Sequence, residues 1–433
     1  ERAGNAINSG PASAPQAGRY IASPFGIDDI ITVDMGGTSF DITMAKSGRT
    51  SLNRDIDFLR NRIGVPMIHV ETLGAGGGSI GHVNTFGMLE VGPQSAGATP
   101  GPACYGKGGE LPTVTDANLV LGYLQPNAVL GGSVTLDKNK ATQAVQTHIA
   151  DPLNIDLAHA AFGISAIVNQ NMSNAIRRIT IEKGYDPRDF ALICAGGAAG
   201  MHIIALAEEM GIGTILIPKI ASCLCAFGQI ISDIKYNYLA TQMMILAPDV
   251  ELRALNAKLQ ELEAQGVQKL LEDGFIDDDI TIERTMEMRY VGQVHECNVL
   301  IPNGKLDADS VQTILEAFHH RHKELYTYDE RDNKVELVNI EVAVIGKISK
   351  PKLPTLPAQQ GDISRAKTGS REMLFDQSYD WIETPIYDGE KFGAGAVVTG
   401  PALIQEPTTT VVIKDGWQAE LHETGTYKLT RAA

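Results

Sequence analysis

Ile31-Thr32-Val33-Asp34-Met35-Gly36-Gly37-Thr38-Ser39-Phe40-Asp41 decides the fold, because it reads as a buried strand running into a phosphate-sized turn. Ile30, Ile31 and Val33 are β-branched and suit a buried strand. Gly36 and Gly37 lack a Cβ and admit backbone geometry and close ligand approach that other residues forbid. Their amides can face an anion, and the hydroxyls of Thr38 and Ser39 add donors, so the turn reads as an anion-binding nest. Asp34 and Asp41 carry the wrong charge to touch phosphate directly. They would hold Mg2+ or its waters, since magnesium is usually bound through one or two carboxylates plus substrate phosphates. The competing reading is an ordinary hairpin, which glycine pairs mark routinely.

Composition narrows the function classes. A formal net charge of −16 over 433 residues argues against general affinity for nucleic acid or anionic membrane, both of which reward clustered Lys and Arg. The length and the 43% hydrophobic content predict two or three globular domains. Cys104, Cys194, Cys223, Cys225 and Cys297 form an odd, scattered set without CxxC spacing, which suits reduced thiols in a cytoplasmic protein. No run of roughly 18 apolar residues occurs, so no membrane span is expected. The chain opens at Glu1-Arg2-Ala3-Gly4 without a signal-peptide pattern and almost at once reaches Asn8-Ser9-Gly10-Pro11-Ala12. This reads as the interior of a folded body and predicts a processed, split or truncated start.

Outward from the opening turn, residues 28–45 predict two strands, and residues 66–83 hold a second cluster, Thr72-Leu73-Gly74-Ala75-Gly76-Gly77-Gly78-Ser79-Ile80. Gly76, Gly77 and Gly78 thus compete with Gly36 and Gly37 for the same anion. In Thr113-Val114-Thr115-Asp116, Thr115 or Asp116 is placed to cap the apolar segment that follows, and a site role for Asp116 stands as an equal alternative. From Asp156 to Gly184, Ala161, Ile164, Val168, Met172, Ile176 and Ile179 recur at helical spacing, with Arg177, Arg178, Glu182 and Lys183 at the helix end. Phe190–Cys194 predicts a strand, Ala195–His202 a glycine turn and Ile203–Met210 a helix, an order that makes an anion or nucleotide cradle at Gly196 and Gly197. The turn carries neither GxGxxG spacing nor a P-loop lysine.

Beyond about residue 236 the character changes. Glu251–Asp273 and Ser310–Tyr326 predict helices, and Ile280–Val299 and Val335–Ile345 predict strands. His319 and His322 sit one turn apart and read either as a metal pair or as ordinary helix histidines. The predicted domains are 1–235, an α/β domain; 236–348, an α+β region; and 349–433, a linker and small β-rich domain.

In order along the chain, Asn8–Ala12, Asp34–Asp41, Gly74–Ser79, Val91-Gly92-Pro93-Gln94-Ser95-Ala96-Gly97, Pro100-Gly101-Pro102-Ala103-Cys104-Tyr105-Gly106 and Thr113–Leu119 resemble the hydantoinase A and oxoprolinase family. That resemblance implies an α/β fold: an actin-like ATPase lobe of the sugar kinase/actin superfamily, followed by a smaller C-terminal region. It implies ATP and Mg2+ as cofactors, with hydrolysis coupled to opening a cyclic amide or to carboxylating a ketone. Phe40 and Ile63-Gly64-Val65-Pro66-Met67 do not separate these two. On the same resemblance Asp34–Ser39 is the second phosphate loop, Asp34 or Asp41 orients Mg2+ or water, Asp116 joins them as a catalytic candidate, Gly196 and Gly197 lie against the adenosine, and Glu182 and Lys183 reach ribose or base. The adenosine turn departs from the family pattern at Ala199, Gly200 and Met201, and His202 reads as a substrate donor or a helix cap. The family's first phosphate loop is not found in these residues. The expectation is a hetero-oligomer with a hydantoinase B type subunit and a chain carrying the first lobe; a non-catalytic scaffold half is the rival from another class.

Overall fold

The computed structural model describes residues 9–50, 52–53, 56–58, 61–63, 67–126, 129–130, 134–353 and 355–432. Glu1-Arg2-Ala3-Gly4, Asn8 and Gly64-Val65-Pro66 lie outside the described residues. The chain forms two compact units, Glu1–Ile230 with Lys352–Ala433, and Ile231–Pro351.

The first unit is built on a mixed sheet. Strand β1 (Ile30–Met35) pairs antiparallel with β2 (Phe40–Lys46), and β3 (Glu71–Leu73) adds to the far side of β2. On its other side β1 runs parallel to β4 (Ala191–Ala195), which runs parallel to β5 (Thr214–Pro218). The parallel strands read as near-continuous apolar runs because both faces are covered. Ile31, Val33 and Met35 join one core cluster, whereas Ile30 packs with Ala17 and Ile21 of helix α1 (Ser9–Ala22) in another. Helices α2 (Val114–Val120) and α3 (Leu157–Ile179) fill the larger core, α4 (Ile203–Met210) joins β4 to β5, and α5 (Leu224–Ile231) follows β5.

The tail overturns one expectation, because residues 352–433 belong to the first unit rather than to a separate small domain. Strand β6 (Thr426–Arg431) pairs antiparallel with β5, with Ile217 opposite Tyr427, and Trp417–Leu421 and Val397–Thr399 extend the same sheet. The physical reason is shared burial: Trp417, Tyr427 and Leu429 complete the core that contains Leu192, Ile215 and Ile217.

In the second unit, Ile234–Leu246, Val335–Gly346, Ile280–Tyr290 and Cys297–Ile301 form an antiparallel sheet in that order. Leu255, Leu259, Leu262 and Leu270 from Arg253–Glu272, and Ile314 and Phe318 from Ala308–Tyr326, bury against Met286, Met288 and Val342. Among the described residues no helix is long and apolar enough to cross a membrane.

Candidate functional site

The opening turn is a hairpin, and its chemistry lies in what flanks it. Gly36 N–H donates to the Ser39 carbonyl at 3.1 Å, and Asp34 stands opposite Asp41 in the β1–β2 register. Asp41 accepts hydrogen bonds from Thr72 Oγ1 at 2.6 Å and Ser39 Oγ at 3.3 Å. Asp34 Oδ2 accepts from the Cys225 thiol at 3.0 Å. Burial raises the Asp34 carboxyl above the ordinary carboxylate range, opposed by the Cys225 hydrogen bond and reinforced by the nearby Asp41 charge. Burial and the Asp34 carboxylate likewise push the Cys225 thiol up. Gly37 and Thr38 are exposed at the turn's tip, and their amides have no partner among the described residues.

The second glycine cluster supports this turn instead of competing with it. Gly77 N–H donates to the Gly36 carbonyl at 3.0 Å, Gly78 N–H to the Gly37 carbonyl at 2.7 Å, and Gly76 N–H to Ser79 Oγ at 2.9 Å. All three amides are therefore engaged, which removes Gly76, Gly77 and Gly78 as phosphate donors. A Cβ on Gly76 would lie 2.7 Å from the Gly37 carbonyl carbon and from Thr38 N, so only glycine permits this approach. Thr115 Oγ1 donates to the Gly77 carbonyl at 2.8 Å, tying the start of α2 to the same layer.

Asp116 takes the capping role. It is fully buried at the third position of α2 and forms a capping box with Thr113. Its Oδ1 accepts from Cys104 N–H at 2.7 Å, and its Oδ2 accepts from Thr113 N–H at 2.8 Å, Thr113 Oγ1 at 2.7 Å and Ala103 N–H at 3.2 Å. A carboxylate so fully engaged has no oxygen left for a ligand, so Asp116 is corrected from catalytic candidate to structural anchor.

Gly196 is brought to the opening turn. Its φ is +83°, and an added Cβ would lie 2.5 Å from Asp34 Oδ1 and collide with the Met35 carbonyl. Ala198 N–H donates to that carbonyl at 3.2 Å. Asp34 and Gly196 thus meet at the carboxyl ends of the parallel strands β1 and β4, the end of open α/β sheets where ligands bind. Glu182 and Lys183 are not brought there. Lys183 Nζ lies 3.0 Å from His69 Nδ1, and Arg178 pairs with Glu71 at 2.9 Å, so this helix end sits beside β3. Three strand spacings, about 14 Å, separate β3 from β4.

The candidate histidines are structural. His202 is 1% exposed; its Nδ1 donates to Asn169 Oδ1 at 2.8 Å and its Nε2 accepts from Asn118 Nδ2 at 3.0 Å. Burial lowers it to about 4, so it is neutral near pH 7. In the second unit, His319 Nδ1 meets the Tyr290 hydroxyl at 2.6 Å, while His322 uses its two nitrogens on the Tyr328 carbonyl and the Gln293 amide. No cluster of three metal-ligating side chains occurs among the described residues.

Sequence reasoning missed three contributors: Cys225 on Asp34, Thr72 on Asp41, and the Thr408–Thr410 segment, whose Thr409 hydroxyl donates to the Gly197 carbonyl at 3.3 Å. The first two could be found only by knowing which elements neighbour β1 and β2. The threonine run lies in the tail expected to form a separate small β-rich domain, so no signal tied it to Gly197.

The arrangement has known counterparts. The caprolactamase subunit alpha of Pseudomonas jessenii is 55% identical over 99% of this chain and 62% of its own length. The crystal structure of the ATP-dependent caprolactamase from Pseudomonas jessenii superposes with a TM-score of 0.90 at 53% identity, covering 97% of this chain and 61% of that one. The acetophenone carboxylase gamma subunit of Aromatoleum aromaticum is 33% identical over 95% of this chain and 57% of its own length. A nucleotide-free acetone carboxylase structure superposes with a TM-score of 0.77 at 26% identity, covering 98% of this chain and 61% of that one. The chain therefore spans about six-tenths of the length of these relatives. The hydantoinase/oxoprolinase family profile matches residues 1–238, and the hydantoinase/oxoprolinase C-terminal domain matches residues 249–432. The chain belongs to the hydantoinase/oxoprolinase family.

Proposed function

We propose that this chain is the nucleotide-binding part of an ATP-dependent enzyme that activates a cyclic amide for ring opening. Its first unit would be the second lobe of an actin-like clamp. The carrying observation is the Asp34–Asp41 pair flanking an exposed turn whose Gly37 and Thr38 amides have no partner among the described residues, with Gly196 against Asp34. Two carboxylates facing one another across a hairpin fit a hard cation that takes oxygen ligands, and the raised proton affinity of Asp34 is what a desolvated site built for a cation produces. Asp34 and Asp41 would hold Mg2+, and the amides of Gly37 and Thr38 would donate to phosphate oxygens. Bound MgATP supplies the phosphoryl group that makes a resistant amide carbonyl susceptible to water. The chain's own residues supply positioning: Cys225 orients Asp34, Thr72 and Ser39 orient Asp41, and the second glycine cluster fixes the turn.

The Pseudomonas jessenii sequence and structure are named caprolactamase subunit alpha and ATP-dependent caprolactamase, which favours a lactam as substrate. The names acetophenone carboxylase gamma subunit and acetone carboxylase beta subunit support a second reading, carboxylation of a ketone, at 33% and 29% identity. Those names also support work with partner chains, and we assign a hydantoinase B type subunit and a first ATPase lobe from outside these residues to that role. Five free cysteines suit a cytoplasmic setting.

The deciding experiment measures ATP turnover by the protein purified with its native partners. The substrates are caprolactam and 5-oxoproline, set against acetone and acetophenone with bicarbonate. Stimulation by a lactam is expected. Stimulation by ketones alone would transfer the assignment to the carboxylase reading, and no ATP binding at all would favour a scaffold.

A further inference from the structure

We infer that the turn Gln405–Thr410, delivered from the far end of the chain, positions the glycine loop of the nucleotide crevice, with Thr409 as the positioning residue. This rests on the nucleotide reading proposed above.

The turn is a built object. It joins the paired strands Ala402–Gln405 and Thr410–Ile413, with Gln405 opposite Thr410, and Glu406 N–H donates to the Thr409 carbonyl at 3.0 Å. Its anchor is Glu406, whose side chain is 2% exposed. Glu406 Oε1 accepts from Lys219 Nζ at 2.7 Å and from the Tyr427 hydroxyl, and Lys219 Nζ also donates to the Gly389 carbonyl at 2.6 Å. A side chain on Gly389 would collide with the Glu406 carboxylate, so the pocket is shaped around that anchor. Lys219 directly follows β5, which fixes the turn to the carboxyl end of the sheet, the same end that carries Asp34 and Gly196.

From that anchor the turn touches the glycine loop at successive points. The Thr409 hydroxyl, on a residue 5% exposed, donates to the Gly197 carbonyl at 3.3 Å. A Cβ on Gly197 would lie 3.1 Å from the Thr408 carbonyl, and one on Gly200 would collide with the Thr410 carbonyl. The loop is thus held between the Met35–Asp34 end of β1 on one side and the threonine segment on the other. Gly197 itself stays exposed, so the contacts fix its backbone without covering it. Releasing the Thr409 bond leaves the Gly197–Ala198 peptide held, among the described residues, only through the Ala198 N–H on the Met35 carbonyl, one residue beyond Gly196, which packs against the Asp34 carboxylate.

The test compares Thr409→Val, which removes the hydroxyl at nearly constant volume, with Thr409→Ser, which keeps it. Thr408→Ser serves as a control, because Gly197 approaches the Thr408 carbonyl, which this substitution keeps. MgATP affinity, kcat at saturating ATP and Tm are measured on the protein with whatever chains co-purify. Thr409→Val is expected to raise the ATP Kd about 3- to 10-fold, the span of one ordinary hydrogen bond. In that variant kcat stays within about twofold and Tm within about 2 °C, since a single bond is lost and nothing is left crowded. Thr409→Ser and Thr408→Ser should bind ATP like the wild type. A lowered Tm with unchanged ATP affinity would make Thr409 merely structural and overturn the inference, as would failure of Thr409→Ser to restore binding. Should Thr409→Val not fold, Gly200→Ala gives the same readout by pushing the turn from the loop, and unaltered ATP affinity there refutes the positioning role. A wild-type protein that does not bind ATP overturns both this inference and the reading of the site; wild-type binding with an indifferent Thr409→Val overturns this inference alone.

Discussion

His202 makes the first unit sensitive to mild acid, by an amount that can be worked out. It is a buried imidazole lowered from 6.5 to about 4, while in the unfolded chain it returns to its ordinary value. Its folded pKa is depressed, so the unfolded state binds the extra proton. Stability from this residue is fully present above pH 6.5 and is lost as pH falls toward 4. At pH 5 the unfolded histidine is about 97% protonated and the folded one about 9%, so lowering pH from 7 to 5 removes about 2 kcal/mol. The structural cause is geometric. The added proton would go on Nε2, which faces the Asn118 amide donor at 3.0 Å, in a site without water access. The perturbation is His202→Gln, which cannot titrate. Urea unfolding is followed by tryptophan fluorescence, because both tryptophans, Trp381 and Trp417, report on the first unit. The stability gap between wild type and variant should shrink by about 2 kcal/mol from pH 7 to pH 5, other titrating groups cancelling in the difference. A gap that stays constant between the two pH values would refute the reasoning.

Other outcomes follow from the same geometry. Gly76→Ala forces a methyl against the Gly37–Thr38 backbone, an overpacking penalty of about 1–3 kcal/mol that should weaken MgATP binding about 5- to 150-fold by calorimetry. Asp34→Asn should abolish Mg2+-dependent ATP binding without lowering Tm at pH 7. Because the folded Asp34 pKa is raised, its ionised form opposes folding as pH climbs through that value, and the amide relieves this. In the wild type, MgATP affinity should fall as pH drops through the raised Asp34 pKa, and a flat profile would count against Asp34 as the metal ligand. Asp116→Ala orphans buried donors on Thr113, Cys104 and Ala103 and should cost roughly 3 kcal/mol or more in urea unfolding, with normal ATP affinity in the folded fraction.

What the sequence disclosed divides along the range of the interactions. The β1–β2 hairpin, the strand–glycine–helix unit around Gly196 and the α3 amphipathic stripe were legible because each is written in neighbouring residues. A cap near Asp116 was legible, but not its residue: the helix starts at Val114, the N-cap is Thr113, and Asp116 answers it from the third helical position. The purpose of Gly76–Gly78 was not, because a glycine needed to admit another backbone looks identical to one that admits a phosphate. Cys225 on Asp34 joins residues 191 apart, and Tyr427 opposite Ile217 closes a similar span. No periodicity or spacing encodes such pairings; only burial of the completed sheet selects them.

The pairing of β5 with β6 also dictates an order of events during synthesis. Residues 214–218 leave the ribosome with one side of the strand unpaired, and their partner at 426–431 follows only after the whole second unit has been made. At about 5–20 residues per second that wait lasts roughly 10–40 s. Through it the growing chain carries an apolar strand edge, and the Thr408–Thr410 support for the glycine loop does not yet exist. A nascent chain halted before the last few dozen residues would therefore hold Asp34, Gly37, Thr38 and Gly196 and still lack the Thr409 contact to the Gly197 carbonyl. Such intermediates are natural clients for chaperones that shield unpaired strands.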